Sequence, residues 1–90
     1  MAYVIIPSAL RAFTQQQARV EIPGSTVGEV FTQLTARFPE LQRHLLNEQG
    51  QLRKFVNVFV GDEEIRHLQN EATPVRENAE ISIVPSVAGG

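Results

Sequence analysis

The sequence predicts an α+β fold, in which one mixed sheet of four to five strands carries one main helix packed on one face. Two short β-branched segments come first, an amphipathic helical segment follows them, and strand-like segments return after it. These three observations are the basis of the prediction. The chain has 90 residues with 42% hydrophobic content, which is the size of one small domain with a single core.

The first two strands are predicted to form a hairpin. Residues 2–7 contain a β-branched run that suits a pleated surface, and Pro7 ends the ladder. After a polar stretch, residues 18–22 alternate polar and apolar side chains with period two, and a Pro-Gly pair then marks a turn.

A helix is predicted over residues 26–37. Thr26 followed three residues later by Glu29 is the capping-box pattern. Apolar side chains then recur at helical spacing until a proline ends the run. A second short helical segment is expected over residues 40–46, with a loop after it.

The strands return in the second half of the chain. Residues 55–60, with the sequence Phe-Val-Asn-Val-Phe-Val, are predicted as the central strand because β-branched and aromatic residues favour a sheet. A short strand is expected around residues 64–66, irregular structure over 67–79, and the last strand over 80–84 before Pro85. This order of elements is the pattern of the ubiquitin-like β-grasp fold.

The two faces of the predicted sheet differ in character. Asn57 should point away from the helix, which sends the valines of its strand into the core and leaves Phe55 and Phe59 on the outer face. By the same alternation, Val84 of the last strand faces outward. Phe55, Phe59 and Val84 are therefore expected to form an apolar patch of the kind that marks a partner-binding surface. The alternative is that these are ordinary exposed side chains or are covered by the chain's own loops.

The C-terminus is the strongest functional feature. We expect a domain over residues 1–85 and a flexible C-terminal tail over residues 86–90. Two terminal glycines arise by chance in roughly 0.5% of chains, so their place just after the last strand gives them weight. Fully extended, the tail would reach about 17 Å, and glycine lets a backbone pass through a narrow channel. The residues expected to enter a partner's active site are Ser86, Val87, Ala88, Gly89 and Gly90.

The chemistry expected of this tail is activation of its carboxyl group. A terminal carboxylate is ionised at neutral pH and is a poor acyl electrophile. Adenylation by a separate, ATP-dependent enzyme, followed by displacement of AMP by a sulfur donor, would leave a nucleophilic thiocarboxylate on Gly90. A frayed terminus is the alternative interpretation.

Composition argues against several other functions. The net charge of −2 does not attract nucleic acid or an anionic membrane surface, and the absence of cysteine removes disulfides and thiolate metal sites. The N-terminus lacks a charged leader and a long apolar run, so a cytoplasmic protein is expected. His44 and His67 lack the spacing of metal ligands and are expected at surface or helix-end positions. The segment Asp62-Glu63-Glu64 is interpreted as a solvated turn with a possible part in electrostatic docking.

The sequence resembles the ThiS/MoaD family of β-grasp sulfur carriers over almost its whole length. Within that family, the Phe-Val-Asn-Val-Phe-Val strand and its Asp-Glu-Glu-Ile-Arg continuation favour the CysO type, which supplies sulfur to a cysteine synthase that uses O-phosphoserine. The segments that carry the resemblance are Ile6-Pro7 with Leu10-Arg11, Thr26-Val27-Gly28-Glu29-Val30, Phe38-Pro39, Phe55-Val56-Asn57-Val58-Phe59-Val60, Asp62, Ile65-Arg66 and Val87-Ala88-Gly89-Gly90.

The resemblance implies a thiocarboxylate on Gly90 that an E1-like adenylyltransferase makes with ATP. It also implies a pyridoxal-phosphate-dependent cysteine synthase, in which the thiocarboxylate attacks a cofactor-bound aminoacrylate, and a JAMM-type metalloprotease that releases cysteine. Pyridoxal phosphate and zinc would belong to those partners. The chain itself is expected to bind no cofactor and to act as a protein co-substrate rather than as an enzyme.

Four functions remain open at this point. The first is a sulfur carrier for cysteine or a related metabolite, and the second is the small subunit of molybdopterin synthase. The third is a ubiquitin-like modifier whose diglycine is joined to lysines of other proteins. The fourth is an interaction module with an inert tail.

Overall fold

The computed structural model describes residues 1–85 of the chain. Five strands form one sheet in the order β2-β1-β5-β3-β4. β1 and β5 run parallel and the other neighbours run antiparallel, so the sheet is mixed and the predicted α+β fold is confirmed. The strands are β1 Ala2–Ile5, β2 Arg19–Ile22, β3 Val56–Val60, β4 Glu63–Glu64 and β5 Glu80–Pro85.

The main helix, α1, spans Val27–Arg37 and begins as the capping-box pattern predicted. Thr26 is the N-cap, and its hydroxyl oxygen accepts a hydrogen bond from the Glu29 N–H at 3.2 Å. The Glu29 carboxylate accepts from the Ser25 N–H and the Ser25 hydroxyl, each at 3.0 Å. A standard capping box would return this carboxylate to the N-cap residue, so the reciprocal bond is displaced by one residue.

The second helical segment is confirmed, although it begins earlier than expected. A 3₁₀ helix over Pro39–Leu41 continues directly into α2, Gln42–Leu45. His44 lies in α2, at the expected helix end. Its ring is half-buried and stacks on Phe13 with centroids 4.4 Å apart, so it is not the freely exposed side chain of the surface alternative.

The polar stretch after β1 contains a 3₁₀ helix, Ser8–Thr14, that the sequence did not indicate. Side chains hold it to the backbone: the Arg11 Nε donates to the Ile6 carbonyl, and the Thr14 hydroxyl bonds to the Gln17 carbonyl. Such a short helix has too few turns to show an amphipathic period. β1 also ends at Ile5, before the predicted end at residue 7.

The expected short strand is present, but it lies over Glu63–Glu64 rather than around residues 64–66. β4 stops at Glu64, and the chain enters a 3₁₀ helix over Ile65–His67. Ile65 is buried, and the Glu64 carboxylate accepts from the Arg66 N–H at 2.7 Å, which caps the new helix. The expected irregular segment after it contains a further 3₁₀ helix, Asn70–Ala72.

The core lies between α1 and the face of the sheet that α1 covers, which we call the inner face. Alternate residues of β1, β2, β3 and β5 are buried there, as the period-two pattern predicted. The buried apolar side chains are Ala2, Val4, Ile6, Leu10, Val20, Ile22, Val27, Val30, Phe31, Leu34, Phe38, Leu41, Leu45, Val56, Val58, Ile65, Ile81 and Ile83.

Candidate functional site: the outer sheet face and the C-terminal arm

The last described residue of the chain lies at the end of the sheet's middle strand. β5 has β1 on one side and β3 on the other, and Pro85 is the register partner of Val56 in β3. We call residues 86–90 the C-terminal arm. The predicted tail residues Ser86 to Gly90, including the Gly90 carboxyl group, lie outside the described residues. The structure therefore describes the base of the arm, which is the end of β5 at Val84 and Pro85.

The outer face, which α1 does not cover, carries two of the three predicted patch residues side by side. Asn57 is the register partner of Val84, and Phe59 is the partner of Ser82, so Phe59 and Val84 are diagonal neighbours within reach of each other. Val84 is 45% exposed, and Phe59 is half-buried. The structure thus brings these two side chains together on one surface.

Ile5 extends the same surface and was missed in the sequence. It is half-buried and lies opposite Ser82 on the other side of β5. The alternation of β1 could have identified it: Ala2 and Val4 are buried, so Tyr3 and Ile5 face outward. We call Ile5, Phe59 and Val84 the outer patch.

Phe55 is exposed at 42% of its surface but is not part of the strand that carries Phe59. β3 begins at Val56, one residue later than predicted, and the Val56 N–H donates to the Arg53 carbonyl at 3.0 Å in a turn. The alternation of a strand does not extend into this turn. Phe55 therefore stays outside the outer patch as the structure defines it.

Arg66 lies beside the beginning of β3. Its guanidinium Nη2 donates to the backbone carbonyls of Lys54 and Val56, at 2.8 and 3.0 Å. Its Nη1 donates to the Asn57 side-chain oxygen at 2.6 Å and to the Glu64 carboxylate at 3.3 Å. The Arg66 guanidinium is therefore hydrogen-bonded within the chain itself.

The charges around the outer patch differ between the two edges of the sheet. At the β4 edge, Phe59 lines a shallow depression with three carboxylates and a histidine. At the β2 edge, the Arg19 guanidinium lies 4.1 Å from the centre of the Tyr3 ring and 3.9 Å from the Glu80 carboxylate. The expected solvated turn at Asp62-Glu63-Glu64 is exposed in part, although its last two residues form β4.

Residues 1–85 contain no group of three or more histidine, cysteine, aspartate or glutamate side chains placed to hold a metal ion. His67 is exposed, and the buried Nε2 of His44 has no hydrogen-bond partner in this part of the chain. No helix within the same residues is long and apolar enough to cross a membrane.

A five-stranded mixed sheet crossed by one main helix, with Pro85 as the last described residue at the end of the middle strand, defines a ubiquitin-like β-grasp protein. The chain matches the ThiS family over residues 4–90, and it belongs to that family. The match includes the diglycine at the end of the arm.

The chain is similar to characterised proteins over most of its length. It is 36% identical to the sulfur carrier protein CysO of Mycobacterium tuberculosis over 89 residues, which cover 97% of this chain and 96% of the relative. It is 36% identical to the small archaeal modifier protein 3 of Haloferax volcanii over 66 residues, or 73% of this chain and 71% of the relative. A chain in the crystal structure of the Amycolatopsis orientalis BexX/CysO complex superposes with a TM-score of 0.91 at 33% identity and full coverage of both chains.

Proposed function

We propose that this chain is a sulfur carrier protein whose C-terminal carboxyl group, on Gly90, is the sulfur-carrying group. The observation that carries the proposal is the ThiS-family match, which continues to residue 90 and therefore includes Gly89 and Gly90. The similarity to a sulfur carrier protein over 97% of the chain supports the same function. The chain then acts as a co-substrate of its partners rather than as an enzyme.

The chemistry proceeds in two steps on a partner of the E1-like class. A carboxylate oxygen of Gly90 attacks the α-phosphorus of ATP, and pyrophosphate leaves. Hydrosulfide, or a donor that delivers it, then attacks the acyl carbon, AMP leaves with the bonding electron pair, and a proton is released. The product is a thiocarboxylate, and the proposed location is the cytoplasm, where ATP is available.

The acceptor proposed for this sulfur is a metabolite held by a pyridoxal-phosphate-dependent cysteine synthase. Pyridoxal phosphate stays with that enzyme, and the zinc of a JAMM-type metalloprotease stays with the enzyme that releases the product. The similarity to CysO supports this choice of pathway. The carrier contributes the arm and a surface for each partner to bind.

The outer patch is the surface proposed to bind these partners. Val84 lies one residue before Pro85 and the arm, so a partner seated on the patch is already next to the base of the arm. From there the arm reaches about 17 Å when fully extended, which is enough to bring its carboxylate into a recessed active site. Phe55, exposed at the same end of β3, is proposed as a peripheral contact.

The direct test is the intact mass of the carrier after incubation with the E1-like enzyme of the same organism, ATP and sulfide. We expect the mass increase of one oxygen-to-sulfur exchange, located in the C-terminal peptide. The matched control is the chain shortened by Gly90, which should show no exchange. An unchanged mass of the full-length chain with an activator that is active on its own carrier would refute the proposal.

A second candidate is a protein modifier, and the similarity to a small archaeal modifier protein favours it. In that function Gly90 would form an isopeptide bond with lysines of other proteins. Trypsin cuts after Arg76, the last basic residue, so a remnant of residues 77–90 on such lysines, absent from cells that carry the Gly90-deleted chain, would support it. Copurification in a stable complex with a molybdopterin-synthesising partner would instead support the synthase-subunit alternative.

A further inference from the structure

One row of outward-facing side chains crosses the sheet from edge to edge. Residues that lie directly opposite each other in neighbouring strands share a face of the sheet, so register partners continue one another as a row. From β2 to β4, this row consists of Arg19, Ile5, Ser82, Phe59 and Glu64. Ser82 is therefore the middle residue of the row, with an apolar side chain on each side.

The side chain of Ser82 is much smaller than those of its two neighbours. Strands lie about 4.8 Å apart, so the backbones of Ile5 and Phe59 are roughly 10 Å apart with Ser82 between them. Side chains of a strand stand roughly perpendicular to the sheet, so the two larger groups rise on either side of a short hydroxymethyl group. Val84 is the next outward-facing residue of β5 and closes a third side. We call the space above Ser82, bounded by Ile5, Phe59 and Val84, the central gap.

The central gap is open to solvent in the described part of the chain. Ser82 is only half-buried, as are Ile5 and Phe59, and Val84 is 45% exposed. The outer patch is therefore not a continuous apolar surface but three apolar side chains around a lower point. Binding energy in protein interfaces concentrates where one side chain enters such a recess and is removed from water on all sides.

The charges near the central gap are unbalanced between the two edges of the sheet. At the β2 edge, the positive charge of Arg19 is partly neutralised by the Glu80 carboxylate at 3.9 Å. At the β4 edge, Asp62 and Glu63 line the depression beside Phe59, and neither carboxylate takes part in an ion pair within residues 1–85. A complementary partner therefore places a basic side chain on the Phe59 side of the gap.

We propose that Ser82 determines the specificity of the outer patch, because its small side chain leaves a gap that receives one aliphatic side chain of the E1-like enzyme. The entering group is of leucine or methionine size, and a basic side chain of the same enzyme lies beside Asp62 and Glu63. This inference rests on the proposed function and adds to it the chemistry that the partner must present.

The experiment measures the Kd between the carrier and the E1-like enzyme of the same organism by isothermal titration calorimetry, without ATP. Ser82→Leu fills the gap with the carrier's own side chain. It should raise the Kd about 10- to 100-fold, the factor that corresponds to the loss of one buried aliphatic side chain. Ser82→Ala leaves the gap open and should change the Kd by less than about twofold.

The direction of the Ser82→Leu effect is diagnostic. Leucine adds apolar area to an apolar patch, so a surface that binds through its total apolar area would bind more tightly. A gap that must stay open binds more weakly. Ala36→Leu is the matched control, because Ala36 is exposed on α1 and the substitution adds apolar bulk away from the outer face. Its Kd should equal that of the wild type.

A second variant tests the chemistry of the partner. The double substitution Asp62→Asn, Glu63→Gln removes both charges and should raise the Kd about two- to fivefold at low salt. The difference from the wild type should vanish in about 1 M salt, where exposed charges are screened. An unchanged Kd at low salt would overturn the basic side chain assigned to the partner.

The other outcomes separate this inference from the proposed function. If the wild-type carrier binds and acquires sulfur, a Kd for Ser82→Leu at or below the wild-type value would overturn the inference alone. A large fall in the urea midpoint of Ser82→Leu would also overturn it, because Ser82 would then be packed rather than open. So would a dimer of the carrier, seen by analytical ultracentrifugation, that Ser82→Leu dissociates, because a second copy would then fill the gap. If the wild-type carrier neither binds nor acquires sulfur with an activator that is active on its own carrier, the proposed function fails and the inference fails with it.

Discussion

The inner and outer faces of the sheet are built from the same strands but carry different side chains. In β5, Ile83 is buried at 3% exposure, whereas its neighbour Val84 is exposed at 45%. In β3, Val58 is buried and Phe59 lies half-buried on the other face. One face thus holds the fold together, and the other carries the exposed side chains that we propose bind partners. Substitutions at adjacent positions of one strand should therefore separate stability from partner binding.

The largest effect is expected on the inner face. Ile83→Ala should lower the free energy of unfolding by about 2–5 kcal/mol, because it removes buried methyl groups and leaves a cavity beneath α1. Urea denaturation followed by circular dichroism measures this loss. Binding of the remaining folded molecules to the activating enzyme should be unchanged. A loss below about 0.5 kcal/mol would contradict the assignment of Ile83 to the core.

The next effect, on the outer face, should be seen in binding rather than in stability. Val84→Ser should change the free energy of unfolding by less than about 0.5 kcal/mol, since this side chain is already exposed. It should raise the Kd for the E1-like enzyme about five- to tenfold if Val84 lies in the buried centre of the interface. Isothermal titration calorimetry with Ile83→Ala as the control would measure it.

An unchanged Kd for Val84→Ser would remove Val84 from the partner surface. The inner and outer faces would then still differ in burial, but the outer patch would lose its proposed function. Phe59→Ala is a second test of the outer patch and should also raise the Kd. Because Phe59 is half-buried, this substitution should lower the free energy of unfolding as well.

Both faces could be predicted from the sequence because period-two alternation is a local property of a strand. Val56, Val58, Ile81 and Ile83 are buried, and Val60 is partly buried against the same core, as the alternation requires. Phe55 was assigned to the same face as Phe59, but the turn before β3 interrupts the alternation. The end of a strand depends on hydrogen bonds with distant residues, and no local pattern reports them.

The bonds of Arg66 illustrate what local patterns miss. Its acceptors lie between two and twelve residues away, on Lys54, Val56, Asn57 and Glu64. They come within reach only because β4 ends after two residues and the chain turns. The sequence predicts the C-terminal arm and two residues of the outer patch, Phe59 and Val84, while the hydrogen bonds of Arg66 are visible only in the tertiary structure.

Gly28 of α1 lies close to Glu71 of the 3₁₀ helix Asn70–Ala72, and a substitution at Gly28 tests how tightly these two elements pack. A Cβ at this position would lie 3.2 Å from the Glu71 carbonyl oxygen and 3.4 Å from the Glu71 Cβ. Alanine normally stabilises a helix by about 1 kcal/mol relative to glycine. We expect Gly28→Ala to give no gain in the free energy of unfolding, because the crowding offsets the propensity.

Gln33→Ala, at an exposed position of the same helix, is the control for Gly28→Ala. It should raise the free energy of unfolding by a few tenths of a kcal/mol, in line with helix propensity alone. If Gly28→Ala gains about 1 kcal/mol in thermal or urea denaturation, the contact with Glu71 does not constrain the helix.

The smallest effect is expected at the N-terminus of α1, on neither face of the sheet. Hydrogen bonds from the Ser25 N–H and then the Ser25 hydroxyl lower the pKa of Glu29 below its ordinary value of 4.5. A lowered folded-state pKa means that the stabilisation is complete above about pH 4.5 and is lost as the pH falls through the lower value. Glu29→Gln should therefore be less stable than the wild type at neutral pH, and the difference should shrink in acid. Urea denaturation from pH 7 to pH 3 measures it, with Ser25→Ala as a partial control that removes one of the two donors. A difference that stays constant across this range would show that the carboxylate charge has no part in capping the helix.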